Sequence, residues 1–177
     1  RPEGNGETIA YDSYGNVTSR TLKSKAGSGL ADLTESAFVN TVTCTGVLCY
    51  RPVWYRDFKG NQTDYLYNAN GQITEQTDPA DAAGVRRKTY SEYESVTVGT
   101  AILWRKKVIR VCGTGATCGS TSEIRTETDY WNNTFLPSVE RRIDAARGII
   151  ATTTFAYDPA GRVLSVDGPL HGTDDAT

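Results

Sequence analysis

The chain has 177 residues, enough for a hydrophobic core, with 19 Lys and Arg against 21 Asp and Glu and a formal net charge of −2. A charge so near zero, with its basic residues scattered, argues against nucleic acids or acidic membrane surfaces as partners. No apolar run approaches the ~18 residues of a membrane span. The 10 Tyr and 17 Gly favour short strands joined by tight turns over long amphipathic helices.

One short pattern recurs: Asp or Asn, two variable residues, then Gly and a polar residue. The first residue can accept hydrogen bonds from backbone N–H groups just ahead of it. The fourth requires a left-handed backbone, which Gly adopts and Asn tolerates. The pattern therefore predicts five β-hairpin turns, near residues 11–17, 56–62, 67–73, 128–134 and 157–163. Their first and fourth positions are Asp12 and Gly15, Asp57 and Gly60, Asn68 and Gly71, Asp129 and Asn132, and Asp158 and Gly161.

The sequence around these turns alternates as strands do. Tyr65 and Tyr67, for example, lie two residues apart before a turn and share one face, and Ile73 follows that turn. The short interval between Asp57 and Asn68 predicts a three-stranded meander within 51–77. The fold class predicted is thus all-β, with antiparallel strands and hairpins.

Other segments are assigned from local composition. Strands are predicted at 88–93, 95–98 and 102–111, and loops at 26–34, 77–84, 113–122 and 167–177. A single helical turn is predicted at 144–148, where Gly148 would end it.

The four cysteines fall in two local pairs, Cys44 with Cys49 and Cys112 with Cys118. Each pair brackets a short loop between candidate strands, which favours two disulfide bonds and an oxidising compartment. A four-cysteine zinc site, free thiols and mixed pairing between the two loops remain open alternatives.

Nothing in the chain points to catalysis, and we expect no catalytic, cofactor or metal site. The one histidine, His171, lies in a Gly- and Pro-rich loop, and no nucleophile elbow or Walker lysine is present. Sequons at Asn16, Asn61 and Asn132 mark possible glycosylation sites, although all three overlap the turn pattern.

The repeated pattern resembles the YD repeats of RHS proteins, which occur in bacterial polymorphic toxins and toxin-complex subunits. The closest matches are Tyr11 to Val17 and Tyr157 to Val163, and the resemblance covers nearly the whole chain, so residues 1–177 are interpreted as one repeat region. The resemblance implies a strip of antiparallel strands spiralling into a hollow shell. The family's self-cleaving core motif is not found here, so the chain looks like shell wall without protease or cargo.

On this interpretation the chain is a structural segment, secreted or at a bacterial cell surface. Its expected partners are the rest of a parent chain or identical subunits, joined through strand edges, and an enclosed toxin domain. Two alternatives stay open: a self-assembling extracellular filament, and a carbohydrate-binding module that uses exposed rings such as Tyr14 and Trp131.

Overall fold

The computed structural model describes residues 6–113, 118 and 122–169. Twelve strands run antiparallel to their partners, and the one helical element among these residues is a short 3-10 helix. The all-β antiparallel prediction is confirmed. The chain divides into two compact units, one ending at Arg86 and the other beginning at Arg87.

In the first unit, each strand pairs with its neighbours in chain order. The β3–β4 connection is the longest of this unit and carries the 3-10 helix Gly46–Tyr50. The predicted meander within 51–77 corresponds to the last three strands. The six strands are β1 Glu7–Tyr11, β2 Val17–Leu22, β3 Leu33–Phe38, β4 Trp54–Arg56, β5 Gln62–Tyr67 and β6 Ile73–Ala80.

The second unit is also ordered along the chain, from the long hairpin β7–β8 onward. The strands predicted at 88–93 and 95–98 are one strand, because a register shift between Glu92 and Tyr93 absorbs the irregularity. The strands are β7 Arg86–Val98, β8 Ala101–Cys112, β9 Glu123–Tyr130, β10 Pro137–Asp144, β11 Ile149–Tyr157 and β12 Val163–Asp167.

Two local predictions are wrong. The predicted loop 77–84 is strand in its first half, because β6 continues to Ala80, and the chain turns only in its second half. The predicted helical turn at 144–148 is a β-hairpin turn, in which Gly148 has a φ of 64° and the strands on either side pair directly. The predicted loops 113–122 and 167–177 lie mostly outside the described residues.

Few side chains are fully buried. Among the described residues the buried apolar side chains are Val39, Cys49, Val96 and Cys112. Many large apolar side chains are instead exposed, including Ile102 at 66%, Ile150 at 64% and Leu164 at 61%. Stacked layers normally cover the apolar face of a sheet, so each unit presents surface suited to contact with other protein.

Candidate functional site: repeat turns and exposed sheet surfaces

Five turns share one hydrogen-bonding scheme. In the first, the Asp12 Oδ1 atom accepts hydrogen bonds from the Tyr14 and Asn16 backbone N–H groups, both at 2.9 Å. The Asp12 N–H donates to the Asn16 carbonyl, and the Gly15 N–H donates to the Asp12 carbonyl. Gly15 has a φ of 83°, so the turn needs a residue without a Cβ there. The same scheme recurs at Asp57, Asn68, Asp81 and Asp158.

The turn at Asp81 was missed by the sequence analysis. Its Oδ1 atom accepts from the Ala83 and Val85 N–H groups at 2.9 and 3.0 Å, and Gly84 has a φ of 78°. Asp81 and Gly84 satisfy the spacing of the repeated pattern. The signal was therefore present, but the Pro- and Ala-containing context of the segment suggested a loop.

The prediction that Asp129 begins a turn is wrong. Asp129 lies within β9 and forms ion pairs with Lys107 of β8 and Arg141 of β10. The turn starts two residues later, where the Trp131 N–H donates to the Leu136 carbonyl and the Thr134 N–H donates to the Trp131 carbonyl. Non-local charge pairing thus holds the carboxylate within the sheet.

Asn132 lies inside this longer turn and has a φ of 50°, a left-handed conformation rare outside Gly. It occupies the position after Trp131, whereas the left-handed Gly of the other turns lies three residues after the acid or amide. Thr134 replaces part of the carboxylate's role, because its Oγ1 atom accepts from the Leu136 N–H at 3.1 Å.

The turn carboxylates are stabilised in their charged form. Hydrogen bonds from the Asn16 and Asn61 side chains are the largest causes that lower the pKa values of Asp12 and Asp57, respectively. For Asp158 the largest cause of the lowered pKa is the backbone N–H of Arg162. Asn68 performs the same backbone role without a charge, so the turn requires an acceptor rather than an acid.

The tyrosines before the turns connect neighbouring strands. The Tyr67 hydroxyl of β5 donates to the Pro52 carbonyl at 2.8 Å, and the Tyr157 hydroxyl of β11 donates to the Pro137 carbonyl at 2.7 Å. The Tyr130 hydroxyl of β9 donates to the Lys106 carbonyl. In each case the acceptor lies in, or just before, the preceding strand. Sequence reasoning placed Tyr67 beside Tyr65 on one face of a strand and did not predict this hydrogen bond.

Tyr11 occupies the same position in β1, but its hydroxyl has no hydrogen-bond partner among the described residues. The residue is 59% exposed. Its hairpin has the same register shift just before the turn as the hairpins of Tyr67 and Tyr157. Tyr11 differs because β1 is the first strand of its unit, so the described residues contain no preceding strand whose carbonyl could accept the bond.

Residues 39–53, here called the stapled segment, form the β3–β4 connection. The disulfide Cys44–Cys49 lies within it, and Cys49 is buried. The segment packs on two turns: the Cys49 carbonyl accepts from the Asn16 side-chain amide at 2.8 Å, and Val47 lies against Gly71. The stapled segment, which the disulfide constrains, therefore packs against two of the repeated turns.

The second disulfide joins Cys112 at the end of β8 to Cys118. Since the structure places all four cysteines in disulfides, it contains neither the zinc site nor the free thiols left open above. Among the described residues, no group of three His, Cys, Asp or Glu side chains is arranged to hold a metal ion. His171 lies outside the described residues.

The three sequon asparagines differ in how their amides are used. The Asn16 amide donates to both the Asp12 carboxylate and the Cys49 carbonyl, so a glycan there would displace one of these bonds. Within the described part of the chain, the Asn61 amide donates only to the Asp57 carboxylate. Asn132 is exposed. The geometry therefore accommodates a glycan more readily at Asn61 and Asn132 than at Asn16.

Each unit also has a ladder of polar side chains across adjacent strands. In the first unit, Arg20 of β2 pairs with Glu7 and Glu35 on its two sides, and the Tyr55 hydroxyl of β4 donates to Glu35 at 2.6 Å. In the second, Glu94 pairs with Arg105 and Lys107, and Asp129 pairs with Lys107 and Arg141. Such cross-strand pairs stabilise the pairing of adjacent strands, and they are not by themselves evidence of a catalytic or binding site.

Two rings proposed for carbohydrate binding are partly engaged within the chain. Tyr14 packs edge-on against Tyr50 with 6.2 Å between centroids, and Trp131 packs against Tyr157 at 5.6 Å. No helix within the described residues is long and apolar enough to cross a membrane.

Comparisons with known proteins identify a shared fold. No family model and no curated protein matches the chain. A chain of the crystal structure of TcdB2-TccC3-Cdc42 matches 99% of this chain with a TM-score of 0.64 and 14% identity. A chain of the Photorhabdus luminescens Tc holotoxin pore, carrying a mutation in TccC3, also matches 99%, with a TM-score of 0.60 and 16% identity. This chain spans 8% of the length of each. It is therefore similar in fold to a short stretch of Tc toxin complex chains.

Proposed function

We propose that the chain is a non-catalytic structural segment of a secreted or surface RHS-repeat protein, and that it forms part of the wall of an encapsulating β-shell. The proposal is supported by the repeated turn scheme and by the similarity in fold to Tc toxin complex chains about twelve times longer. Its two disulfides fit an oxidising environment outside a bacterial cell or on its surface.

The observation that carries this proposal is the Tyr11 side chain. Three tyrosines at equivalent positions donate to a carbonyl of the preceding strand, whereas Tyr11 has no such partner among the described residues. A further strand on the outer edge of β1 would supply that carbonyl and cover the backbone groups of the edge. The partner we propose is the rest of a parent chain, or an identical subunit, joined by strand pairing.

The exposed apolar side chains support a second contact. Ile102, Ile150 and Leu164 are each more than half exposed. Exposed apolar surface of this kind is costly in water unless another protein covers it. An enclosed toxin domain, or neighbouring parts of the same wall, would bury these side chains.

Hydrogen–deuterium exchange tests the edge contact directly. The amides of β1 that point away from β2 are measured in the isolated 177-residue segment and in the native polypeptide purified from its source. We expect clear protection of these amides in the native protein only. Equal exchange in both would refute strand pairing at β1.

The mass of the native polypeptide separates the shell from its rivals. An antibody to the segment should detect a chain much larger than 19.3 kDa under denaturing, reducing conditions. A band near 19.3 kDa that migrates as a polymer under native conditions would instead favour the filament.

A further inference from the structure

A cleft lies between the stapled segment and β5, and its volume is about 210 Å³. Drug-sized ligands occupy clefts of roughly 300 Å³ or more, so this one suits a smaller molecule. The disulfide fixes one wall, because Cys44 itself contributes to the lining. The other lining residues that matter here are Asn40, Thr43, Leu48, Arg51, Tyr65 and Tyr67.

Most polar groups of the cleft are already satisfied within the chain. The Asn40 side chain donates to the Thr43 hydroxyl at 2.8 Å and accepts from the Val42 and Thr43 N–H groups. The Tyr67 hydroxyl donates to the Pro52 carbonyl. These groups shape the cleft and leave little capacity for a ligand.

Two polar groups remain available. Arg51 is an exposed residue, and its guanidinium forms no ion pair or hydrogen bond with any described residue, although its Nε atom lies near Gly71. The Tyr65 hydroxyl likewise has no hydrogen-bond partner in the described part of the chain. A cation without a counter-charge beside apolar walls favours a ligand that carries one negative charge.

A second cleft in the same unit shows the contrast. It has a volume of about 330 Å³ and is lined by Arg86 among others. Arg86 forms an ion pair with Asp64 and donates to the Asp78 and Gln62 carbonyls. The Arg86 charge is therefore balanced by a carboxylate of the same unit, whereas the Arg51 charge has no such partner among the described residues.

We propose that the cleft at Arg51 binds the terminal residue of an acidic glycan, a hexuronic acid. The Arg51 guanidinium pairs with the sugar carboxylate, and the Tyr65 hydroxyl bonds a ring hydroxyl. The Tyr65 and Tyr67 rings, 6.3 Å apart, offer aromatic surface to the C–H groups of the sugar. The volume of the cleft limits the ligand to about one sugar ring. This inference does not depend on the proposed wall function.

Chemical-shift titration of the isotope-labelled 177-residue chain with sodium glucuronate tests this. We expect saturable shifts of the amides of residues 40–53 and 65–67. Glucose should bind at least tenfold more weakly because it lacks the carboxylate. No saturable shift at tens of millimolar glucuronate would overturn the proposal, as would equally strong binding of acetate or inorganic phosphate.

Variants complete the test. Arg51→Gln should weaken glucuronate binding about tenfold or more, and Tyr65→Phe by several-fold with its ring retained. Arg142→Gln removes the same charge at an exposed position of β10, and this variant should bind as the parent chain does. Unchanged binding in both cleft variants would overturn the proposal. Because Tyr65→Phe is nearly isosteric, it keeps the test decisive if Arg51→Gln fails to fold.

Discussion

Gly71→Ala isolates the contact between a repeat turn and the stapled segment. Gly71 has a φ of 74°, and a Cβ added there would lie 2.9 Å from Val47 Cγ1 and 3.2 Å from Val47 Cγ2. Gly15 and Gly60 have φ values of 83° in the same kind of turn, with nothing within 4 Å of an added Cβ. The three positions share the backbone strain and differ in packing.

The magnitudes follow from these two terms. A left-handed alanine costs about 1–2 kcal/mol, which sets the loss of unfolding free energy for Gly15→Ala and Gly60→Ala. Overpacking against Val47 adds about 1–3 kcal/mol at Gly71. Val47→Ala in the Gly71→Ala background should recover the packing part and leave the backbone part.

Urea unfolding followed by circular dichroism measures all variants, with midpoints compared at a constant m-value. The Val47–Gly71 cycle should give a coupling energy of about 1 kcal/mol or more, well above the additivity error of about 0.5 kcal/mol. If Gly71→Ala and Gly15→Ala destabilise equally, or if Val47→Ala recovers nothing, the packing of the stapled segment on this turn is wrong.

Three further predictions concern single groups. The pKa of Asp12 is lowered in the folded chain, so the Asp12 carboxylate stabilises the fold at pH values above its ordinary pKa. This stabilisation is lost as the pH falls through the lowered pKa of the folded chain. Asp12→Asn should therefore reduce the loss of unfolding free energy at acidic pH. Tyr55 has its pKa raised to about 12, chiefly by its hydrogen bond to Glu35, and burial also raises the pKa values of Tyr67, Tyr130 and Tyr157. An absorbance titration at high pH should therefore show a group of late-ionising phenols, and Tyr55→Phe should remove one phenol from that group. Replacing Cys44 and Cys49 with Ser should lower the unfolding free energy by about 2 kcal/mol in urea melts, and no change would mean that the staple is dispensable.

The hairpin turns were largely predictable because their hydrogen bonds stay within five residues of sequence. An acceptor at Asp12, two variable residues and Gly15 contain all that the turn needs. Asp81 has the same spacing to its glycine and was overlooked because the Pro- and Ala-containing context of its segment suggested a loop. Local chemistry therefore specified these turns.

Asp129 could not be assigned from sequence for the opposite reason. Its partners, Lys107 and Arg141, lie on the two neighbouring strands and come close only once β8, β9 and β10 are paired. The cleft at Arg51 has the same origin. The cysteine spacing predicted the staple, but its placement against Gly71 and β5 depends on tertiary packing.

The tyrosine hydrogen bonds explain how unevenly spaced repeats still form an ordered strip. Each turn closes its own hairpin locally, and Tyr67 or Tyr157 then ties that hairpin to the strand before it. The turn hydrogen bonds and the tyrosine hydrogen bonds each join only adjacent strands. An insertion such as the stapled segment therefore does not change the order in which the other strands pair. Stability is then close to a sum of hairpin and neighbour terms. It follows that the loss from Gly71→Ala should appear as faster amide exchange in the strands next to its turn, β5 and β6, before it appears in β11 and β12.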